Sequence, residues 1–211
     1  MYTPIKAIMT EETHQKLKEI KQSFRLLMNG VTSQSMREKG VDYHINWGAS
    51  LGHLQEMAQE YGKDYDLAIE LWKENIRECK ILATMIMPVE KMSLELIDLW
   101  MEQTPSQEIA EIASFHLYQH LDCAAVVAFK WIASDKPLYL ICGFHLLSRL
   151  FYQGMVPDER DISEFLDQAS TALCSEHLGV RHAAYACVHR FAMLGNMEER
   201  IVESMLNKLD L

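Results

Sequence analysis

The placement of glycine and proline between segments of helical periodicity is the feature that most restricts what this chain can fold into. Its 211 residues include only 9 glycines and 5 prolines, and these separate segments in which apolar side chains recur every three to four positions. No segment shows sustained apolar and polar alternation. The pattern predicts an all-α chain of about ten to twelve helices, covering residues 10–29, 33–38, 50–61, 64–74, 76–87, 93 onward, 105–121, 123–133, 135–153, 158–174, 179–194 and 196–209.

The spacing of these helices indicates how they are arranged. The connections are a few residues long, which favours antiparallel helix pairs stacked one after another. Successive pairs are spaced by roughly 35–45 residues, which is typical of HEAT repeats. The sequence contains neither a linker nor a low-complexity tract. We therefore expect an α-α superhelix of stacked HEAT-like antiparallel helix pairs that forms a single domain over residues 1–211.

Composition restricts the surroundings in which the chain works. No run of about 20 apolar residues is present, so no membrane span is expected. The first 30 residues carry scattered charges and lack the apolar core of a signal peptide, which predicts a cytoplasmic location. The five cysteines are spread singly, without a Cys-x-x-Cys pair, and are expected to be reduced core thiols: Cys79, Cys123, Cys142, Cys174 and Cys187.

The net charge of −10 argues against a general nucleic-acid binder, which needs a basic surface for phosphate contacts. The charge is nevertheless uneven. Residues 1–40 hold four acidic and seven basic residues, a net charge of +3, and the basic ones are Lys6, Lys16, Lys18, Lys21, Arg25, Arg37 and Lys39. Such a patch either is a solvated helix face or contacts phosphate.

Several short segments carry a resemblance to a known family. In chain order they are Ile45 to Leu51, Tyr61-Gly62, Leu67 to Trp72, Ile76-Arg77-Glu78, Lys130-Trp131-Ile132-Ala133-Ser134-Asp135 and Val180-Arg181-His182-Ala183. Their order and approximate spacing resemble the AlkD-like DNA alkylation repair glycosylases, which are HEAT-like repeat proteins. The resemblance extends over residues 36–191.

The resemblance implies a C-shaped stack whose concave face is basic in active members and holds duplex DNA. The implied activity is excision of cationic alkylated purines, with no cofactor. In that family an aspartate stabilises the developing sugar cation, a tryptophan packs near the lesion, and an arginine holds phosphate. N-alkylation already makes the purine a good leaving group, so the enzyme mainly supplies a carboxylate near the sugar.

The family's three catalytic positions hold other residues in this chain. Ser106 stands at the position of the tryptophan, Ala110 at that of the aspartate, and Ile141 at that of the arginine. A slip of the alignment by a residue would bring Glu108 or Glu111 near the position of the aspartate. These substitutions, together with the acidic net charge, predict a family member that lacks the glycosylase centre.

Four residues are predicted to contact a ligand: Trp131, Arg181, His182 and His189. His182 and His189 are seven residues apart on one helical face and are flanked by Arg181 and Arg190. This basic stripe could contact phosphate or an acidic partner. The alternative is a set of salt bridges to a neighbouring acidic helix.

A metal site is the remaining hypothesis. His116 and His120 are four residues apart, a spacing at which two imidazoles on one helix can bind a metal ion. Leu117 occupies the position that holds glutamate in a His-Glu-x-x-His metalloprotease. The favoured interpretation is two partly buried, hydrogen-bonded histidines in a helix pair, and we expect no metal.

Three functions follow from the sequence. The first is a non-catalytic scaffold whose concave face binds duplex DNA weakly, or a protein. The second is a divergent glycosylase that uses Glu108 or Glu111 to excise cationic alkylated purines. The third is a metal-dependent role at His116 and His120.

Overall fold

In the computed structural model, which describes residues 10–38 and 43–210, the chain forms two compact units, Met1–Ser93 and Leu94–Leu211. The first unit contains α1 (Glu11–Leu26), α2 (Gly30–Glu38), α3 (Leu51–Tyr61), α4 (Tyr65–Lys73), α5 (Arg77–Ile86) and a 3-10 helix at Val89–Lys91. The second contains α6 (Leu94–Glu102), α7 (Gln107–His116), a 3-10 helix at Tyr118–His120, α8 (Ala124–Ile132), α9 (Pro137–Tyr152), α10 (Glu159–Leu173), α11 (Leu178–Ala192) and α12 (Asn196–Lys208).

Local capping explains where several helices begin. Thr10, Ser50 and Asp64 each accept a hydrogen bond from the backbone N–H three residues later, which satisfies a donor that the first helical turn leaves open. Ser106 and Asp158 do the same for α7 and α10. The sequence therefore encodes helix starts locally, before any tertiary contact forms.

Helix α5 forms the centre of the first unit, and every one of its residues is buried. Its charged residues include Arg77 and Glu78, and the carboxylate of Glu78 is completely buried. One guanidinium nitrogen of Arg77 lies 3.3 Å from Glu78 Oε1 and also donates to the backbone carbonyl of Ala49 at 3.1 Å. A buried charge is tolerated only when it is paired and hydrogen-bonded in this way.

The same carboxylate orders the loop that precedes α3. Glu78 accepts hydrogen bonds from the backbone N–H groups of Trp47 and Ala49, each at 3.2 Å. Between them, Gly48 has a φ of +72°, and a Cβ there would lie 2.3 Å from the carbonyl oxygen of Asn29. Only glycine fits this turn without strain. The loop therefore depends on α5 for two of its hydrogen bonds and on Gly48 for its course.

The second unit is built as two rows of helices. Helix α9 packs against α7 on one side and α11 on the other, so these three helices form the first row. Helices α8, α10 and α12 pack along them as the second row. Gly143 allows α8 and α9 to approach closely, because a Cβ there would lie 2.8 Å from Cγ2 of Ile132.

The structure corrects several boundaries. The first helix ends at Leu26 rather than near residue 29, and Gly30 begins α2 instead of terminating α1. The helix expected over residues 105–121 ends at His116 and is followed by a separate 3-10 helix. The N-cap of α8 is Cys123 and that of α9 is Lys136, so the helices begin one or two residues later than the expected ranges. These errors fall where helix-forming composition continues through a turn.

The cysteine and membrane predictions have separate outcomes. All five cysteines are free; Cys79, Cys142 and Cys187 are buried as expected, whereas Cys174 is exposed. Burial raises the pKa of Cys142 to about 12, so this thiol stays protonated. None of the described helices is both long and apolar enough to cross a membrane. The single domain over residues 1–211 and the cytoplasmic location stay predictions.

The buried carboxylate of Glu78 can be tested directly. We expect Glu78→Gln to lower the free energy of unfolding by about 3–5 kcal/mol, because it removes the charge that balances the buried Arg77 guanidinium. Amide hydrogen exchange at Trp47 and Ala49 should accelerate as well. Denaturant unfolding and exchange of the purified variant measure both effects. Exposed Glu90→Gln is the control; a Glu78→Gln protein as stable as that control would contradict this account.

Candidate nucleic-acid interface

An exposed stack of alternating rings and cations crosses the first row of the second unit. The guanidinium of Arg149 on α9 lies 4.6 Å from the ring centre of Phe115 on α7 and 5.0 Å from that of Tyr152. The guanidinium of Arg190 on α11 lies 4.9 Å from the Tyr152 ring. Phe115 and Tyr152 are 46% and 61% exposed, so the stack is open to a ligand. Cation–π contacts hold its four members in order.

Arg149 is fixed in place by a buried glutamine. Its Nε donates to Oε1 of Gln119 at 3.0 Å, and Gln153 donates to the same oxygen at 2.7 Å. The Gln119 side chain is itself anchored, because its amide nitrogen donates to the carbonyl oxygen of Phe115. Of the three side-chain nitrogens of Arg149, only Nε donates to an acceptor among the described residues. The two terminal nitrogens are thus held in a position from which they can bind an anion.

Charge is distributed unevenly among the helices of the second unit. Helices α9 and α11 together carry three arginines and three histidines and no aspartate or glutamate. Helices α10 and α12 carry seven acidic and three basic residues. A protein with a net charge of −10 therefore has two adjacent helices that are cationic. Net charge is a sum and does not describe such a local field.

The basic stripe predicted on α11 is partly present. His182, Tyr185 and His189 are all exposed and recur at helical spacing, so they share one face. Arg181 is half-buried, and its guanidinium donates to the carbonyl of Ser175 at 2.5 Å. Arg181 therefore holds the preceding loop, whereas the two histidines remain available to a ligand.

One carboxylate lies one turn before the ring–cation stack on α7. Glu111 Oε1 lies 3.4 Å from Nε2 of His145 on α9, and Gln107 donates to the same carboxylate oxygen at 2.7 Å. The hydrogen bond with His145 holds the pKa of Glu111 below its ordinary value of 4.5. Because folding lowers this pKa, ionised Glu111 stabilises the fold above the ordinary pKa, and that contribution is lost as the pH falls through the lowered pKa.

The three positions matched to the family's catalytic residues do not form a site. Ala110 and Ile141 are completely buried, so their side chains point into the core. Ser106 caps α7 by accepting from the N–H of Ile109. Two partly exposed side chains lie close to these positions: Glu111 is one residue after Ala110, and His145 is four residues after Ile141. Glu108 is also partly exposed, but the contact to α9 is made by Glu111.

Two further predictions need correction. Trp131 is completely buried, with its ring edge-to-face against Tyr118 at 5.1 Å, so it belongs to the core and is out of reach of a ligand. His116 ends α7 and His120 lies in the following 3-10 helix, so the shared helical face on which the metal hypothesis depended is absent. The described residues contain no cluster of three or more metal-ligating side chains.

Sequence reasoning missed the members of the stack other than Arg190. Phe115, Arg149 and Tyr152 come from two helices and form no motif along the chain. One signal was available: α9 and α11 lack acidic residues in an otherwise acidic sequence. A count of acidic and basic residues for each predicted helix would have identified α9 and α11 as cationic.

Comparison with known proteins agrees with this fold. The model of the family described as DNA alkylation repair enzyme matches residues 20–184. No curated protein matches the chain. A solved structure described as a new family of proteins related to the HEAT-like repeat DNA glycosylases, with affinity for branched DNA structures, aligns with a TM-score of 0.80. The two chains are 18% identical, and the alignment covers 90% of this chain and 82% of the other.

The likeness to that structure confirms the predicted fold class of stacked HEAT-like helix pairs. The family match extends over most of the sequence and includes the segments that carry the resemblance. The chain belongs to the DNA alkylation repair enzyme family.

Proposed function

We propose that this protein is a non-catalytic member of its family that binds DNA, with a preference for branched over linear duplexes. The observation that carries the proposal is the exposed stack of Phe115, Arg149, Tyr152 and Arg190, whose cations lie on helices α9 and α11. Affinity for branched DNA is stated for the structurally similar protein, which supports the same class of ligand here.

The chemistry of the stack favours DNA that contains unpaired or unstacked bases. Exposed aromatic rings stack on bases, and this contact contributes about 1–3 kcal/mol per base. In a linear duplex the bases already stack on one another, whereas a branch point exposes base faces. The arginines beside the rings bind phosphate, which adds affinity without sequence preference. A binding scaffold for proteins stays an alternative prediction, with no contact in the described residues that favours it.

The cations of the stack should carry the salt dependence of binding. We expect Arg149→Gln with Arg190→Gln to weaken binding to a four-way DNA junction and to reduce the salt slope by up to about 2, since each phosphate contact contributes about 0.9. Fluorescence anisotropy across a salt series measures both quantities. Arg160→Gln with Arg200→Gln on α10 and α12 removes the same charge and should change little; equal effects of the two pairs would contradict the proposed interface.

The ring of Tyr152 should carry the preference for branched DNA. Tyr152→Leu keeps an apolar side chain but removes the stacking surface. We expect it to weaken binding to the junction about tenfold or more, since 1.4 kcal/mol corresponds to a factor of ten, and to affect a linear duplex of the same sequence less. Tyr65→Leu, on an exposed tyrosine of the first unit, is the control. An equal loss on both DNA forms would argue against base stacking.

A second candidate function, divergent glycosylase activity, rests on Glu111. This carboxylate is ionised at neutral pH and lies one turn from the ring–cation stack, as a group that stabilises a sugar cation must. Under the non-catalytic proposal, the wild-type protein releases no 7-methylguanine from alkylated duplex DNA. If the wild-type protein releases 7-methylguanine, Glu111→Gln abolishes the release and Glu108→Gln preserves it, the glycosylase function replaces the non-catalytic proposal.

A further inference from the structure

Helix α1 of the first unit carries a second cationic surface. His14, Lys18, Lys21 and Arg25 are spaced by four, three and four residues, so they lie along one helical face. At a rise of about 1.5 Å per residue, this α1 stripe is roughly 16 Å long. His14, Lys18 and Arg25 are exposed, and Lys21 is partly exposed. Two other members of the N-terminal basic patch, Lys6 and Lys39, lie outside the described residues.

The α1 stripe borders a groove rather than a flat surface. A cavity of about 410 Å³ lies between α1 and α4, and the four basic side chains line it together with Leu17 and Gln22 on α1, Glu70 on α4 and Glu74 directly after α4. The groove therefore sets Lys18, Lys21 and Arg25 against two carboxylates, so its local charge depends on how those carboxylates are paired.

The two carboxylates of the α4 wall are already neutralised. Glu74 forms an ion pair with Lys21 at 2.9 Å, and Glu70 pairs with Lys73 at 2.5 Å. Lys18 and Arg25 form no ion pair with any described residue. Their charges are thus available to an anionic ligand that runs along the groove.

Arg25 is held at one end of the stripe by an aromatic ring. Its guanidinium lies 6.0 Å from the ring centre of Trp47, which sits in the loop that Glu78 orders. A guanidinium that rests on a ring loses less side-chain entropy when it binds, and it still directs its N–H donors outward. The α1 stripe is therefore tied to the buried core of the first unit.

We propose that the groove beside α1 binds the sugar–phosphate backbone of a DNA strand, as a site separate from the ring–cation stack of the second unit. Double-stranded DNA presents one phosphate charge per strand about every 3.4 Å along its axis, so a stripe of roughly 16 Å faces up to about five phosphates. The two unpaired cations, Lys18 and Arg25, are seven residues or about 10 Å apart along the stripe, which corresponds to about three phosphate spacings. The inference rests on the proposed DNA-binding function and adds a second attachment point to it.

The test is the salt slope of junction binding in full-length protein. Lys18→Gln with Arg25→Gln should reduce the slope by up to about 1.8 and weaken binding at low salt, while the preference for junction over linear duplex is kept. Arg160→Gln with Arg200→Gln is the matched control for lost charge, and circular dichroism verifies that each variant folds. These substitutions replace exposed side chains, so folding should be retained.

The outcomes separate the two proposals. No junction binding by wild-type protein overturns both of them. Binding whose slope falls in Arg149→Gln with Arg190→Gln but not in Lys18→Gln with Arg25→Gln overturns the α1 site alone. Poly-glutamate, an acidic polypeptide, is the competing ligand. If the wild-type protein binds poly-glutamate and Lys18→Gln with Arg25→Gln weakens that binding as much as it weakens junction binding, the groove is assigned to acidic proteins and the assignment to DNA is overturned.

A photocrosslinking residue gives an independent readout. Placed at Gln22 in the groove, it should crosslink to junction DNA, whereas the same residue at exposed Gln59 on α3 should not. Equal crosslinking at the two positions would contradict a specific strand path along α1.

Discussion

Helix α9 is packed against α7, α8 and α11, and what this packing leaves exposed decides what the second unit can bind. The core buries the side chains of Ile141, Phe144 and Leu147 completely. The remaining strip holds His145, Arg149 and Tyr152, which lie on successive turns and point away from the core. Close packing of α9 therefore selects a narrow set of side chains, and those side chains reach the rings and cations of the two helices beside it.

The acidic net charge of the protein and the cationic helices α9 and α11 are compatible because acidic residues are distributed unevenly among the helices. Seven acidic residues lie on α10 and α12, which contribute no member of the stack. Arg149 and Arg190 form no ion pair with a carboxylate of the described residues. Glu111, on the same helix as Phe115, is already engaged by His145 and Gln107. A protein can thus repel DNA over most of its surface and still attract it at one face.

Local features were predictable from the sequence because they are encoded locally. The caps Thr10, Ser50 and Asp64 needed only their own neighbours, and the fold class followed from helix spacing and from the family segments. The break after His116 was not predictable in this way. The anchor of that segment is Gln119, whose partners Arg149 and Gln153 are 30 and 34 residues away in sequence.

The candidate interface was out of reach for the same reason. Its contacts join residues on three helices, so no spacing along the chain reports them, and matching residue by residue fails when the register slips. Ala110, which matches the family's aspartate, is buried, whereas Glu111 one residue later is partly exposed and contacts His145. The fold therefore separates side chains that can reach a ligand from side chains that cannot, which a sequence alignment does not report.

The carboxylate of Glu111 also shows how the geometric requirements of DNA binding differ from those of base excision. Stabilising a sugar cation needs a carboxylate whose oxygens face the sugar, in a site that excludes water. Glu111 is half-exposed, and one of its oxygens is shared between Gln107 and His145, so its charge is directed at the protein itself. The ring–cation stack needs no such geometry, because stacking and phosphate binding tolerate solvent and a range of ligand shapes. Under the proposed function, this helix row binds DNA without meeting the geometric requirements of base excision.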